Sequence, residues 1–488
     1  MNKPLRRVAI FAGLLILALL VRVNWLMFVD GDELRTHKDN RRVAIERYSV
    51  PRGDIIVNGK SVTGHAETTG SDFKYKVTWK DGPMWAPVTG FASQAFGATQ
   101  LEEIYDGILT GTDDRLFFGA TVDMLMGKPR QGGSVVTTID PKAQKAAFEA
   151  MGSRKGAVVA LDPKTGKILA LVSTPSYDPS VFSGNSLEDA EARQKLLENP
   201  DKPMVNRALR ETYPPGSTFK IVTAAAALDN GTYDLDQPTG SEPNLYQIPQ
   251  SPNKIGNPIA GRCDNVSIKT GLMWSCNTVF AKVSEEVGNK KMREQAAKFG
   301  FDEKVYTPVR AEVSTYPEAD PAFNAMGGIG QGNVQATPLQ MAMVAAAVAN
   351  DGKLMKPYMV DELKAPDLDT VERTDPESMG EAMSEETARK LQEAMEAVVS
   401  GGTGKPVQMP NATVGGKTGT AERGERVKGS KQTNMKPYAW MITYAKGENG
   451  RQVAVAVVVD DPNAARAEIS GSGTAGPVAK AVMQAVVG

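Results

Sequence analysis

The chain has 488 residues, 41% of them apolar and 23% charged, which is too long for one ordinary hydrophobic core and implies two or three globular domains. Its 56 basic and 57 acidic residues leave a net charge of -1, so the basic footprint of a nucleic-acid binder is missing. Two histidines, His37 and His65, and two cysteines, Cys263 and Cys276, argue against a zinc site and against catalysis that needs an imidazole.

Lys3, Arg6 and Arg7 precede an apolar stretch from Val8 to Val21, which resumes after Arg22 and Asn24 through Trp25 and Phe28. A cleaved signal peptide would want small residues just beyond the apolar run, and Leu19 to Arg22 offer none. An uncleaved helical anchor fits better, since Val8 to Phe28 can cross a hydrocarbon layer of about 30 Å. Arg22 and Asn24 would reach toward the far headgroups and Trp25 would sit near the interface. Basic residues before the helix predict a cytoplasmic N-terminus, with everything after residue 30 outside. Residues 1–29 are therefore read as tail and anchor.

Residues 30–133 show short apolar runs, many charges and no catalytic cluster, and read as a small pedestal domain. Arg52-Gly53-Asp54 carries too little information as a tripeptide to be a cell-adhesion signal. Both histidines belong to this segment and read as solvated or packed surface residues. Gly127 to Gly133 is rich in breakers and reads as a joint.

The remainder, 134–488, alternates strand and helix signals. Val135 to Ile139 reads as a strand, and Asp140-Pro141 starts a helix to Met151. Val158–Leu161 and Ile168–Val172 are strands of a hairpin turned by Asp162 to Gly166. Ser217 opens a helix through Leu228 after Pro214-Pro215-Gly216, and its alanines 224–227 suit tight central packing. From Ser275 to Lys417 the pattern reads as mostly helical, including Ala342–Val348 and a face of Ala388, Leu391, Met395 and Val398 stopped at Gly401-Gly402. Val414–Ala421, Tyr438–Tyr444 and Val453–Val459 read as sheet neighbours, with a charged, solvated loop from Arg423 to Lys436. A final helix, Gly476–Val487, would cover the sheet. Strands at both ends of a helical insert predict an α+β multi-domain chain with an antiparallel sheet sandwiched between helices. Gly404-Lys405 runs into Pro406 where a phosphate loop needs Ser or Thr, and Gly328, Gly330 and Gly332 lack dinucleotide spacing.

Within that frame lie Ser217-Thr218-Phe219-Lys220, then Ser275-Cys276-Asn277, then Lys417-Thr418-Gly419-Thr420. A serine hydroxyl needs an adjacent proton acceptor, and a lysine three positions on shares its helix face. That amine must be uncharged, which burial and the cation of Lys417 would favour. Ser275 can relay a proton because a hydroxyl both donates and accepts, and Asn277 can serve Lys220 on one side and a peptide bond on the other. Lys417, Thr418 and Thr420 suit a substrate carboxylate, and Gly419 lets a backbone approach. Cys263 and Cys276 could form a disulfide stiffening the loop of Ser275, or stay free thiols.

The ordered set of Ser-x-x-Lys, Ser-x-Asn and Lys-Thr-Gly resembles the penicillin-recognising serine enzymes. Arg52-Gly53 with Asn58-Gly59, Thr137 to Asp140, Gly156 to Asp162, and Gly330-Gln331-Gly332 leading to Thr337 to Gln340 extend the likeness to class B penicillin-binding proteins. The resemblance implies a transpeptidase fold and peptidoglycan stem peptides ending in D-Ala-D-Ala as substrate. It also implies acylation of Ser217 by β-lactams, and an oxyanion hole from the backbone N–H groups of Ser217 and Thr420. No metal or organic cofactor is required. A membrane glycosyltransferase of the shape, elongation and division family is the implied partner. Two alternatives stand beside this: a carboxypeptidase or β-lactamase-type hydrolase, and a non-catalytic β-lactam sensor or scaffold.

Overall fold

The computed structural model describes residues 3–31, 34, 41–69, 71–127, 129–424, 435–461, 464–466 and 469–488. His37, Lys128 of the expected joint and 425–434 of the expected charged loop lie outside them.

Helix α1, Lys3–Phe28, is 26 residues long with a mean hydropathy of 2.2 over its most apolar window and nothing buried. At 1.5 Å per residue it exceeds the hydrocarbon thickness of a bilayer. Arg22 is answered from beyond the helix end: its guanidinium lies 3.4 Å from Asp30, which also accepts from Trp25 Nε1 at 3.2 Å.

The pedestal begins with a short helix α2, Arg41–Arg47, and strands β1, Ile55–Val57, and β2, Lys60–Ser61. A protruding helix α3, Phe117–Leu125, follows smaller helical turns. Strand β3, Ser134–Thr137, then pairs parallel with β1. His65 is exposed, packing edge-on against Tyr75.

In the larger domain helix α4, Pro141–Met151, is capped by Asp140, whose carboxylate accepts from the backbone N–H of Lys142 and Ala143. Strands β4, Lys155–Leu161, and β5, Ile168–Thr174, form the expected hairpin. The central helix α5, Lys220–Asp229, is buried along nearly its whole length, and Ala224 to Ala227 let its neighbours approach closely. A small hairpin, β6, Leu245–Gln247, and β7, Lys254–Gly256, flanks the site. Helices α6, Asn277–Val287, and α7, Pro338–Ala349, come next.

The segment expected to be mostly helical also carries strands. Lys353–Met355 pairs with Ser378–Glu381, while β8, Val360–Lys364, and β9, Thr370–Arg373, form a hairpin. β8 lies antiparallel to β3, so one sheet of order β9-β8-β3-β1-β2 stitches the pedestal to the larger domain. These strands are short and mixed with charge, so period-two alternation does not stand out in the sequence.

Helix α8, Glu385–Gly401, leads to β10, Ala412–Ala421, β11, Tyr438–Gly447, and β12, Gln452–Asp460, and the chain closes with α9, Gly476–Val487. The main sheet runs β10-β11-β12-β4-β5, antiparallel throughout. Alternate residues feed opposite layers: Val159, Trp440, Ile442 and Val458 join the core with α5, α7 and α8. Val158, Met441, Val455 and Val457 join that with α4 and α9. A sheet covered on both faces explains strands that read as continuous apolar runs.

Candidate active site

Ser217 sits in a 3-10 turn, Gly216–Phe219, that feeds directly into α5, rather than on the α-helix expected. In a 3-10 turn residues i and i+3 eclipse, so Ser217 and Lys220 align more closely than on an α-helix. Gly216 has φ +54°, and a Cβ there would come within 3.1 Å of Ala421 on β10. Trp440 Nε1 holds the turn by donating to Pro214 O at 3.1 Å, and Thr218 Oγ1 donates to Pro215 O at 2.7 Å.

Ser275 and Asn277 arrive at the start of α6. Ser275 adopts φ +59°, a conformation costly for a residue with a Cβ and commonest where a site demands it. Cys276 is bonded to Cys263, with both side chains fully buried, so the alternative the sequence left open resolves as a disulfide pinning this corner.

The three motifs converge. Lys220 Nζ donates to Ser275 O and to Asn277 Oδ1, each at 2.7 Å, and lies 3.3 Å from Ser275 Oγ. Lys417 Nζ donates to Ser275 Oγ at 2.9 Å and to Thr418 O at 3.0 Å. Both lysines are fully buried. Burial, and then the neighbouring Lys417, hold the Lys220 amine well below the ordinary lysine range, while burial pulls Lys417 to about 7. A neutral amine keeps two N–H groups and one lone pair. The two short bonds of Lys220 to carbonyl oxygens use the N–H groups, leaving the lone pair for a hydroxyl.

A cavity of about 940 Å³ opens above these lysines, lined by Ser217, Ser275, Asn277, Thr418, Gly419 and Thr420. Lys417 is beneath its floor rather than on its wall. Its charge therefore acts through Ser275, and the exposed hydroxyl of Thr420 is left to meet a ligand directly. A Cβ on Gly419 would stand 3.0 Å from Thr218 Cγ2 and from Trp440 Cβ, so strand and nucleophile turn are in close contact only because that position is glycine.

Sequence reasoning missed Thr403, whose hydroxyl pairs with that of Thr418 at 2.8 Å on the cavity wall. It lies between the glycines read as a helix stop and a failed phosphate loop, and only the third dimension brings it to β10. Gly471 was also missed. A Cβ there would meet Trp440 O at 2.3 Å and Gly419 N at 2.7 Å, closing the far side of the strand.

Residues 156–484 match the family described as penicillin binding protein transpeptidase domain, and residues 52–135 that described as penicillin binding protein A dimerisation domain. The chain thus belongs to the penicillin-binding transpeptidase family, on its class B branch. Among its relatives is peptidoglycan D,D-transpeptidase PbpA of Mycolicibacterium smegmatis, 39% identical over 502 aligned positions that cover 100% of this chain and 99% of the relative. PbpA of Mycobacterium tuberculosis is 38% identical over 498 positions, with the same coverage. The crystal structure of PBPA from M. tuberculosis superposes with a TM-score of 0.83 at 38% identity, covering 90% of this chain and 100% of that one. Its penicillin G acyl-enzyme complex gives 0.82 at 39% identity, covering 89% and 99%.

Proposed function

We propose that this protein cross-links peptidoglycan as a serine D,D-transpeptidase and is acylated by β-lactams at Ser217. The observation that carries the assignment of roles is the Lys220 amine, buried with no carboxylate partner among the described residues at the foot of the cavity that Ser217 lines. Ser217 Oγ attacks the carbonyl carbon of the penultimate D-alanine, and Lys220 takes its proton. The N–H groups of Ser217 and Thr420 hold the oxyanion, a kind of contact for which loss of one donor costs about 2.7 to 4 kcal/mol elsewhere. As the tetrahedral intermediate collapses, Ser275 passes a proton from Lys220 to the departing nitrogen, and terminal D-alanine leaves. Thr418 and Thr420 grip its carboxylate, Lys417 supplies charge through Ser275, Asn277 orients the peptide, and Gly419 gives it room. An acceptor amine from a neighbouring strand then attacks the ester, and the same groups return the proton to Ser217.

The chain divides, in this reading, into tail and anchor at 1–29, pedestal at 30–133 and transpeptidase domain at 134–488. It is a single-pass protein of the bacterial cell membrane, N-terminus cytoplasmic and catalytic domain outside, acting with a membrane glycosyltransferase of the shape, elongation and division family. Support comes from the apolar α1 preceded by Lys3, Arg6 and Arg7.

Intact-mass analysis with penicillin tests the activity. One adduct on Ser217, retained for hours, is the expected result. Rapid release would indicate a hydrolase, and no adduct in the wild-type chain would indicate a scaffold.

A further inference from the structure

Helix α3 is nine residues long and exposes apolar side chains at both ends: Phe117 is 72%, Met124 69% and Leu125 80% exposed, with Met126 just beyond at 59%. Phe117, Met124 and Leu125 fall within an arc of about 100° on the helix. Leu116, by contrast, is 5% exposed and plugs the root of the excursion into the pedestal core.

That root is fixed beside α2. Arg130 Nη2 donates to Gly111 O at 3.2 Å and Nη1 lies 3.6 Å from Glu46, while Gly132 N donates to Pro51 O at 3.1 Å. The chain thus leaves and returns at one place, next to the helix that follows the anchor. The stretch from Phe28 to Arg41 can span at most about 45 Å, so the start of α2, beside which α3 is rooted, stays within that distance of the end of α1.

The four side chains expose roughly 400 to 600 Å², as much as the largest apolar patch of a typical monomer. A specific dimer buries about 800 Å² on each partner, more than this helix alone can offer to a second copy. A membrane surface asks less: an apolar arc, little charge within it and basic residues at its flank. Between Phe117 and Met126 the sequence has one charged residue, Asp123; Asp113, Asp114 and Arg115 stand before the helix, and Lys128 and Arg130, the latter already beside Glu46, follow it.

We propose that α3 is a second membrane attachment, lying in the outer interface of the bilayer that α1 crosses, with Phe117, Met124, Leu125 and Met126 at the acyl boundary. The inference rests on the reading of α1 as an anchor. Two attachments would fix the tilt of the pedestal, and with it the direction in which the cavity of Ser217 faces, where one helix and a linker would leave both free.

The two native cysteines are bonded to each other, so one introduced cysteine is the sole reactive thiol. The full-length chain, reconstituted in vesicles of phosphatidylcholine and phosphatidylglycerol, would carry an environment-sensitive fluorophore on Leu125→Cys or Met124→Cys. Leu14→Cys in α1 reports on the anchor, and Leu187→Cys, exposed on the larger domain, is the control. Penicillin adduct formation selects folded variants. The expected result is blue-shifted emission at 124 and 125 that loses about half its intensity to lipids spin-labelled near the headgroup end of the acyl chain. The probe at 14 is quenched by labels deeper in the chain, and the probe at 187 is unaffected. Water-like emission at 124 and 125 with a quenched probe at 14 overturns the attachment alone. Blue-shifted but unquenched emission also overturns it, because protein would then cover the helix. An unquenched probe at 14 overturns the anchor, and the attachment with it.

Discussion

Arg52 in the pedestal and Lys220 in the transpeptidase domain are both shut away from water, at 3% and 0% exposure. Their surroundings are opposite. Arg52 lies 2.8 Å from the fully buried Glu102 and 2.7 Å from Asp106. Burial alone would lower its pKa, but those carboxylates outweigh it and hold the guanidinium above its ordinary range. Lys220 has a carbonyl, an amide and a hydroxyl for partners, the Phe280 ring 5.6 Å away and a second lysine beyond, so among the described residues no carboxylate offsets its burial. A buried cation with a counter-charge braces a fold, and one without is driven to give up its proton. The second case is what a serine nucleophile needs.

Removing either cation sharpens that contrast. Lys220→Ala should slow acylation by a fluorescent penicillin about 10²- to 10⁴-fold, the range for loss of a general base, while circular dichroism shows a folded domain. A Lys220→Ala chain that acylates at the wild-type rate would transfer the role of base to another group. Arg52→Ala should do the reverse. It strands Glu102, whose carboxyl burial already pushes upward, and should cost about 3 to 5 kcal/mol in thermal or denaturant unfolding of the pedestal. Acylation by the folded fraction should be unchanged. Replacing both Arg52 and Glu102 by apolar residues of similar size should recover most of that loss.

The pH profile of acylation separates the two lysines. Toward acid, Lys220 takes up a proton at its lowered pKa and the rate falls. Toward alkali, Lys417 loses its charge around pH 7, the Ser275 hydroxyl loses a cationic donor, and the rate falls again. The expected profile is a bell. A rate that climbs steadily to pH 10 would show that the charge on Lys417 is dispensable. The smallest effect belongs to Thr403→Val, which removes one hydrogen bond from Thr418. That is worth about 1 kcal/mol, or a several-fold slower acylation with little change in unfolding.

Much of this contrast was legible in the sequence, on its catalytic side. The motifs carry their own geometry, because three positions along a helical turn put Lys220 beside Ser217 whatever surrounds them. The Asp140 cap and the final helix Gly476–Val487 appear where local chemistry placed them. Arg52 was read only as part of the Arg52-Gly53 family likeness, because its partners Glu102 and Asp106 lie fifty and more positions away and a pair of charges has no local signature. The strand Val360–Lys364 escaped for a related reason: tertiary pairing with β3 decides its state more than its own propensity does. Thr403 and Gly471 were hidden because their importance comes from backbone they approach in space. The disulfide was a possibility until Cys263 was placed beside Cys276.

Whether Lys220 can serve as base is decided by the protonation state of its one nitrogen. Lysine-selective isotope labelling, with the Lys220 resonance assigned by its disappearance in Lys220→Arg, reports that state by nuclear magnetic resonance across a pH titration. The expected result is the shift of a neutral amine at pH 7. An ammonium shift persisting up to the ordinary lysine pKa of about 10.4 would contradict it.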